Sequence, residues 1–389
     1  MTPAWLLPEY IEDILPPYAR QAETLRRRLL DLFDAHGYDL IQPPLVEYLD
    51  SLLTGAASLL DLKTFKVVDG LSGRMLGVRA DMTPQAARVD AHLLNRQGAA
   101  RLCYAGQVLR TKPAGMLASR EPIQVGAELF GHAGIEADLE ILTLLIAALR
   151  AAGLADVRIS LGHVGLFRAL VAASGLENTH AGQLFTAMRQ KDAATIEALT
   201  HALDSHWRAA FAALPTLYGG REALEQALGV LPDIDAVHRA LDDLSRLLAT
   251  GQGYGAEVAI DLSDLRGDGY HNGVLMAAYA GGQARAVALG GRYDGAGSVF
   301  GRSRAATGFS LDLRQILDCL AEPAARGGIL APLGDDPTLH ARVAELRAAG
   351  ERVVIELPGQ AAHRAECGCD RRLAQGANGW EIVAITSLG

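Results

Sequence analysis

The sequence predicts an α+β fold: an antiparallel sheet with flanking helices, broken by a helical insertion and followed by a small C-terminal α/β unit. Three observations carry that reading. Strands of alternating polarity neighbour one another in the middle of the chain. Residues at about 166–250 read as successive helices with short Gly, Pro and Asp breaks. Beyond residue 325 strand and helix patterns alternate again. A length of 389 residues is enough for two or three domains with a large buried core. The expected boundaries are a core over 1–325, with the insertion inside it, and a separate unit over 326–389.

Each element has a local cause. Residues 17–36 put Ala22, Leu25, Leu29, Leu32 and Phe33 on one helical face, and Gly37 can end that helix in a left-handed conformation. A strand over 38–42 runs into Pro43-Pro44, which must lie at a strand end or sheet edge because proline donates nothing to a ladder. TFKVVDGLSGRMLGVR predicts a hairpin turned at residues 70–73. Thr83-Pro84 offers an N-cap and a first-turn proline for a helix through Arg96. Strands over 101–110 and 123–130 flank the polar loop TKPAGMLASREP, long enough to serve a ligand. On the second strand Ile123, Val125, Ala127 and Leu129 share one face, and Gln124, Gly126 and Glu128 share the other. An amide and a carboxylate astride a bare glycine predict an empty polar niche. EADLEILTLLIAALRAAG then reads as a helix and VRISLGHVG as a strand. After the all-helical insertion, strands resume at AEVAIDLSDLRG, NGVLMAAYA and ARAVALGG, with GGRYDG at 290–295 as a turn. A last helix over 308–320 groups Phe309, Leu313, Ile316, Leu317 and Leu320. EPAARGG links this core to strand ILAP, a helix over 336–349, strand RVVIEL and a hairpin around 376–379.

Composition removes several classes of function. There are 36 basic and 45 acidic residues, a net charge of −9, with 21% charged and 50% hydrophobic residues, the balance of an ordinary soluble protein. Residues 321–389 hold nine acidic and seven basic side chains, a poor surface for nucleic acid. Apolar runs such as 141–149 fall short of the roughly 20 residues that span a bilayer, and Glu9, Glu12 and Asp13 break any signal-peptide pattern, so a cytoplasmic location is expected. Cys103, Cys319, Cys367 and Cys369 lack redox or zinc spacing and read as reduced thiols. No Gly-Lys dipeptide exists, which excludes a P-loop, and GQGYGA at 251–256 precedes a strand instead of opening a helix. With no H-E-x-x-H, no G-x-S-x-G and eleven histidines scattered without ligand spacing, neither a metal, a cofactor nor a catalytic residue is expected.

What remains is a set of polar residues on strands, Arg79, Asp81, Thr83, Arg110, Gln124, Glu128, Arg266 and Tyr270, with Arg292, Tyr293 and Asp294 in the turn at 290–295. Together they suit a free amino acid, with its ammonium on carboxylates and its carboxylate on a guanidinium.

In this order the residues resemble histidyl-tRNA synthetase, a class II aminoacyl-tRNA synthetase fold, over roughly residues 8–320. The helix and strand up to Pro44 resemble the first motif at that family's dimer interface, and VRADMT resembles its amino-acid loop. RLCYAGQVLR with IQVGAELFG resembles the second motif, DLRGDGY and LGGRYDG resemble stretches particular to the histidine enzyme, and ATGFSLDLRQIL resembles the third. The resemblance implies that Asp81 stands for a glutamate, that Thr83, Gln124 and Glu128 hold the α-amino group, and that Arg266 lies near the carboxylate. Tyr270 matches the first of two tyrosines, and His271 replaces the second. Arg110 is kept in the nucleotide half, but Lys112 stands where a glutamate receives adenine, Gln315 where an arginine clamps phosphates, and Arg314 where the family has glutamate. Each lost charged partner costs about 2 to 5 kcal/mol, so both together slow adenylation by about 10³ to 10⁷ if additive.

LLPEYIEDILPPYA, DSLLTG, RADMTPQAARVDAHLLNR, CYAGQVLRTKPAGMLASREP and VGAELFGHAGIEADLE resemble more specifically the regulatory subunits of short-form ATP phosphoribosyltransferase, at the start of histidine biosynthesis. That resemblance implies a non-catalytic chain without aminoacylation activity. It further implies L-histidine as feedback effector at Asp81, Thr83, Arg110, Gln124, Glu128, Arg266, Tyr270 and His271. The implied partners are the short-form catalytic subunit and a second copy joined through the synthetase-type interface, with no tRNA and no membrane. The alternatives are a divergent amino-acid-activating class II ligase, against which Lys112 and Gln315 stand, and a purely structural assembly subunit.

Overall fold

The computed structural model describes residues 5–53, 58–115, 118–266, 270–295, 297–324, 326–377 and 379–385. Residues 54–55 of DSLLTG, 116–117 of the polar loop, 267–269 of DLRGDGY, 325 of the linker and 378 of the last hairpin lie outside the described residues. By internal contacts the chain divides after Ala321 into two compact units.

The first unit begins with α1 (Tyr18–Ala35), whose Ala22, Leu25, Leu29 and Phe33 are buried as its periodicity requires, and Gly37 follows it at φ 80°. β1 (Asp39–Leu40) comes next, then β2 (Val46–Tyr48), α2 (Leu49–Leu53), α3 (Ser58–Lys63), β3 (Phe65–Val68) and β4 (Met75–Val78). β3 and β4 form the expected hairpin, and β2 adds to β4 to complete a small antiparallel sheet. α4 (Thr83–Arg88) runs into a wider π turn over Val89–Leu94, and Asn95 in a left-handed conformation (φ 46°) stops it short of Arg96. Thr83 is not the cap. Asp81 Oδ1 accepts the Thr83 amide at 2.9 Å, because a carboxylate two residues ahead reaches a first-turn N–H that Thr83 itself carries.

β5 (Ala100–Gln107), β6 (Ile123–Phe130), α5 (Ile135–Ala151) and β7 (Val157–His163) follow as expected to within a few residues. The insertion comprises α6 (Val164–Ser174), α7 (Asn178–Gln190), α8 (Ala193–Thr200), α9 (Ser205–Ala213), β8 (Tyr218–Gly219), α10 (Arg221–Val230) and α11 (Asp235–Gly253). It is not all helical, since β8 pairs with the next strand, β9 (Glu257–Asp261). Leu184, Ile196, Phe211 and Leu244 of its helices join the same hydrophobic cluster as the main sheet. β10 (Val274–Ala280), β11 (Ala288–Arg292), β12 (Ala306–Asp312) and α12 (Leu313–Cys319) complete the unit.

Two expectations fail here. The GGRYDG stretch starts inside β11 and turns only after Arg292, and residues 308–312 are strand instead of helix. Phe309, Leu313, Ile316 and Leu317 satisfy a helical spacing, but β12 is paired on both sides, with β6 and β11, and that non-local pairing overrides the local pattern.

The resulting nine-stranded sheet has the order β1-β5-β6-β12-β11-β10-β7-β9-β8. It is antiparallel through its centre, while β1 pairs parallel with β5 and β7 parallel with β9. One face carries Val125, Ala127, Leu129, Phe309 and Leu311, packed in one core with α1, α5, α6 and α11 side chains. A buried pair, Arg292 Nε to Asp138 Oδ2 at 3.0 Å, ties α5 to β11. The opposite face holds the candidate site.

The second unit contains β13 (Ile329–Ala331), α13 (Pro337–Ala348), β14 (Val353–Ile355), β15 (Arg371–Gly376) and β16 (Gly379–Ala384), with sheet order β14-β13-β15-β16. Leu339, Val343 and Leu346 of α13 pack on Ile329, Val353 and Leu373. Among the described residues no helix is long and apolar enough to cross a membrane.

Candidate functional site

Pleating decides which side chains reach the site. Gln124, Gly126 and Glu128 share the face of β6 on which α4 packs, opposite Gly106, Tyr104 and Leu102 of β5, and opposite Asp312, Ser310 and Gly308 of β12. The expected niche over Gly126 is not empty. The Tyr104 phenol lies there, 2.5 Å from where a Cβ would stand, so glycine is required for the ring to lie flat on the strand. Gly308 is required for a similar reason, because a Cβ would run into the Glu128 carboxylate and the Ala127 carbonyl.

The amino-acid loop folds over this floor by hydrogen bonds. Gln124 Oε1 accepts from the Met82 amide and Gln124 Nε2 donates to Asp81 Oδ1, both at 2.9 Å. Thr83 Oγ1 and Tyr104 OH are 2.9 Å apart, and Tyr104 OH donates to Glu128 Oε1 at 2.8 Å. Since the single phenolic hydrogen is spent on Glu128, Thr83 is the donor to Tyr104. Tyr293 OH donates to Glu128 Oε2 at 2.6 Å. Glu128 is 1% exposed. Burial pushes its carboxyl up to about 7, against the pull of the Tyr293, Tyr104 and Thr83 hydroxyls. The same burial, with Glu128 close by, holds the Tyr104, Tyr270 and Tyr293 phenols well above their ordinary range, so all three stay neutral.

Asp81, Thr83, Gln124 and Glu128 are thus brought together. Tyr270 stacks on Tyr293 with ring centroids 5.0 Å apart, and its buried hydroxyl has no hydrogen-bond partner among the described residues. His271 stands edge-on to Tyr270 at 5.3 Å, its Nδ1 likewise buried and unpartnered. Burial holds the ring down to about 4, partly offset by the Asp81 and Asp264 carboxylates, so it is neutral near pH 7. Arg110 reaches the rim of the loop, with Nε 3.3 Å from the Ala80 carbonyl. Arg266 is drawn to its own neighbours, although its charge still acts on His271. Its Nε donates to Asp264 Oδ1 at 2.7 Å, its Nη2 to Asp264 Oδ2, and its Nη1 to Tyr279 OH at 2.8 Å. Tyr293 lies in the candidate turn at 290–295, whereas Tyr104 and Gly308 are site residues that sequence reasoning missed, Gly308 because its stretch fits a helical spacing.

The nucleotide half has a different character. Asp312 caps α12, accepting the Arg314 amide at 3.1 Å on one oxygen and Gln315 Nε2 at 3.0 Å on the other. Arg314 Nε donates to the Glu121 carbonyl at 2.8 Å, and Lys112 is exposed. Among the described residues no group of three or more His, Cys, Asp or Glu is placed to hold a metal.

Comparison with known proteins places this geometry. A family model described as Histidyl-tRNA synthetase matches residues 10–316, and one described as ATP phosphoribosyltransferase subunit HisZ C-terminal domain matches residues 326–383. The ATP phosphoribosyltransferase regulatory subunit of Ralstonia nicotianae is 53% identical over 380 residues, covering 98% of each chain. The chain belongs to the family of ATP phosphoribosyltransferase regulatory subunits. A crystal structure from Bacillus halodurans C, of an ATP phosphoribosyltransferase regulatory subunit/histidyl-tRNA synthetase, matches with a TM-score of 0.84 at 27% identity, over 93% of this chain and 96% of that one. The histidyl-tRNA synthetase of Nostoc sp. PCC 7120 shares the fold, with a TM-score of 0.79 at 17% identity over 98% and 97% of the two chains. A regulatory subunit of this family therefore keeps a synthetase-like α+β sheet as its scaffold.

Proposed function

We propose that this chain binds free L-histidine over β6 and passes that signal to a short-form catalytic ATP phosphoribosyltransferase subunit, performing no aminoacylation of its own. One observation supports this above the rest: Asp81, Thr83, Tyr104, Gln124 and Glu128 form a connected, largely buried polar network, while Arg314 and Gln315 spend their donors on their own chain. In this reading the Asp81 and Glu128 carboxylates receive the ammonium, Arg110 receives the carboxylate, and Tyr270 and His271 face the ring. Arg266 holds its strand neighbours through Asp264 and Tyr279 and does not touch the ligand. A feedback signal requires a ligand that prefers one assembly, and its effect is bounded by that preference, about 1 to 3 kcal/mol.

The three-stranded sheet leaves Val46, Tyr48 and Val67 exposed, with Leu40 and Leu45 exposed nearby in sequence. Apolar strand faces of this kind mark interfaces, and we assign them to the homodimer contact of the synthetase type. Assay of the catalytic subunit with and without this chain tests the proposal. Activity rises on addition of the chain and falls with histidine, and Glu128→Ala keeps the first effect while losing the second. Histidine inhibition that is unaltered by Glu128→Ala, or histidine-dependent pyrophosphate exchange by the chain alone, contradicts it.

A further inference from the structure

The N-terminal segment lies against the loop between β5 and β6 in a way that the histidine reading does not use. Tyr10, an exposed residue, sits at φ 61°, a left-handed conformation that residues other than glycine seldom take. That conformation turns its carbonyl toward the loop, where it accepts the Arg120 amide at 2.9 Å and Ser119 Oγ at 3.4 Å. Arg120 Nη1 reaches the Glu9 carbonyl at 3.4 Å. Arg314 closes the arrangement from α12. Its Nε donates to the Glu121 carbonyl at 2.8 Å and its Nη2 to the Glu12 carbonyl at 3.3 Å, with the Glu12 and Glu121 carboxylates at 3.7 and 3.6 Å. The guanidinium is largely buried between the two segments, and its planar fork suits two acceptors at once. From Arg120 the bonds continue inward: the Arg110 amide donates to the Arg120 carbonyl at 2.8 Å, and Arg120 Nε donates to the Arg110 carbonyl at 3.0 Å.

We propose that residues 8–12 are a strap which, through the Tyr10 carbonyl and the Arg314 guanidinium, holds the return limb 118–122 of the loop in place and so fixes Arg110. Irregular segments of such loops are ordinarily mobile, and here the chain's own N-terminal segment anchors the return limb at Ser119 and Arg120. The strap does not depend on the proposed function and stands whether or not histidine binds.

Hydrogen–deuterium exchange of the full chain without ligand tests it. Tyr10→Pro forces φ to about −65° and removes the turned carbonyl without touching the core. Exchange in 118–122 then rises at least tenfold, as it does in Arg314→Ala, while peptides from β5 stay protected. Tyr10→Gly, which adopts the left-handed conformation freely, exchanges like the parent. If 118–122 keeps its protection in Tyr10→Pro, or loses it only in Arg314→Ala, the strap is overturned and the limb is held by α12 alone.

Discussion

The two ends of β12 treat polar groups in opposite ways. At the Gly308 end, a buried carboxylate on β6 collects hydrogen bonds from two phenols, with a third phenol and an imidazole nitrogen nearby unpaired among the described residues. At the Asp312 end, a guanidinium and an amide are consumed by carbonyls and a carboxylate of the same chain. A donor already committed to its own backbone must break a bond before it serves a ligand, whereas a buried acceptor on stiff strands is organised in advance. The difference teaches how one scaffold can keep half of a binding cleft. In the proposed reading the amino-acid half is kept because its groups support one another, and the nucleotide half is given up because its groups have taken structural work.

The sharpest way to break the contrast is at Glu128. Glu128→Ala leaves the Tyr104 and Tyr293 hydroxyls buried without an acceptor, at about 1–3 kcal/mol each. Urea unfolding should show a loss of about 2–6 kcal/mol by that reckoning, and calorimetry should find no histidine binding. Gly308→Ala is next. Its methyl meets the Glu128 carboxylate and the Ala127 carbonyl, and overpacking of this kind costs about 1–3 kcal/mol, with at least a tenfold loss of histidine affinity, while Ser310→Ala two residues along changes little.

The pH dependence sharpens the contrast further. Burial pushes the Glu128 carboxyl of the folded chain up to about 7 from its ordinary 4.5. It therefore keeps a proton that the unfolded chain has already released. Its contribution to stability is full below about 4.5 and is lost as pH rises through about 7. His271, held down to about 4, works the other way, its contribution present above its ordinary value of 6.5 and lost as pH falls through about 4. Comparing Glu128→Gln with the parent isolates the first group, and the parent's advantage in urea unfolding should shrink between pH 5 and pH 8. The smallest effect belongs to the other end of β12. Gln315→Ala removes one bond to a half-buried cap, so stability changes by about 1 kcal/mol or less and histidine affinity stays the same.

Much of this was legible from local pattern, and the rest depended on contacts made across the sheet. The β3–β4 hairpin and the two faces of β6 follow from a period of two, which a short stretch of sequence displays. Residues 308–312 misled because Phe309 and Leu313 fit a helical stripe, while the pairing that makes them strand comes from residues 123–130, far back in the chain. The Tyr104 ring over Gly126 depends on the β5–β6 register, which no single strand reveals. Arg266 is the exception, for its partner Asp264 lies two residues away and the pairing needed no tertiary information.

Calorimetric titration of the unaccompanied chain with L-histidine and, separately, with ATP tests the central contrast most directly. The contrast predicts saturable heat with histidine, at one site per chain, and none with ATP. Saturable heat with ATP and none with histidine would contradict it.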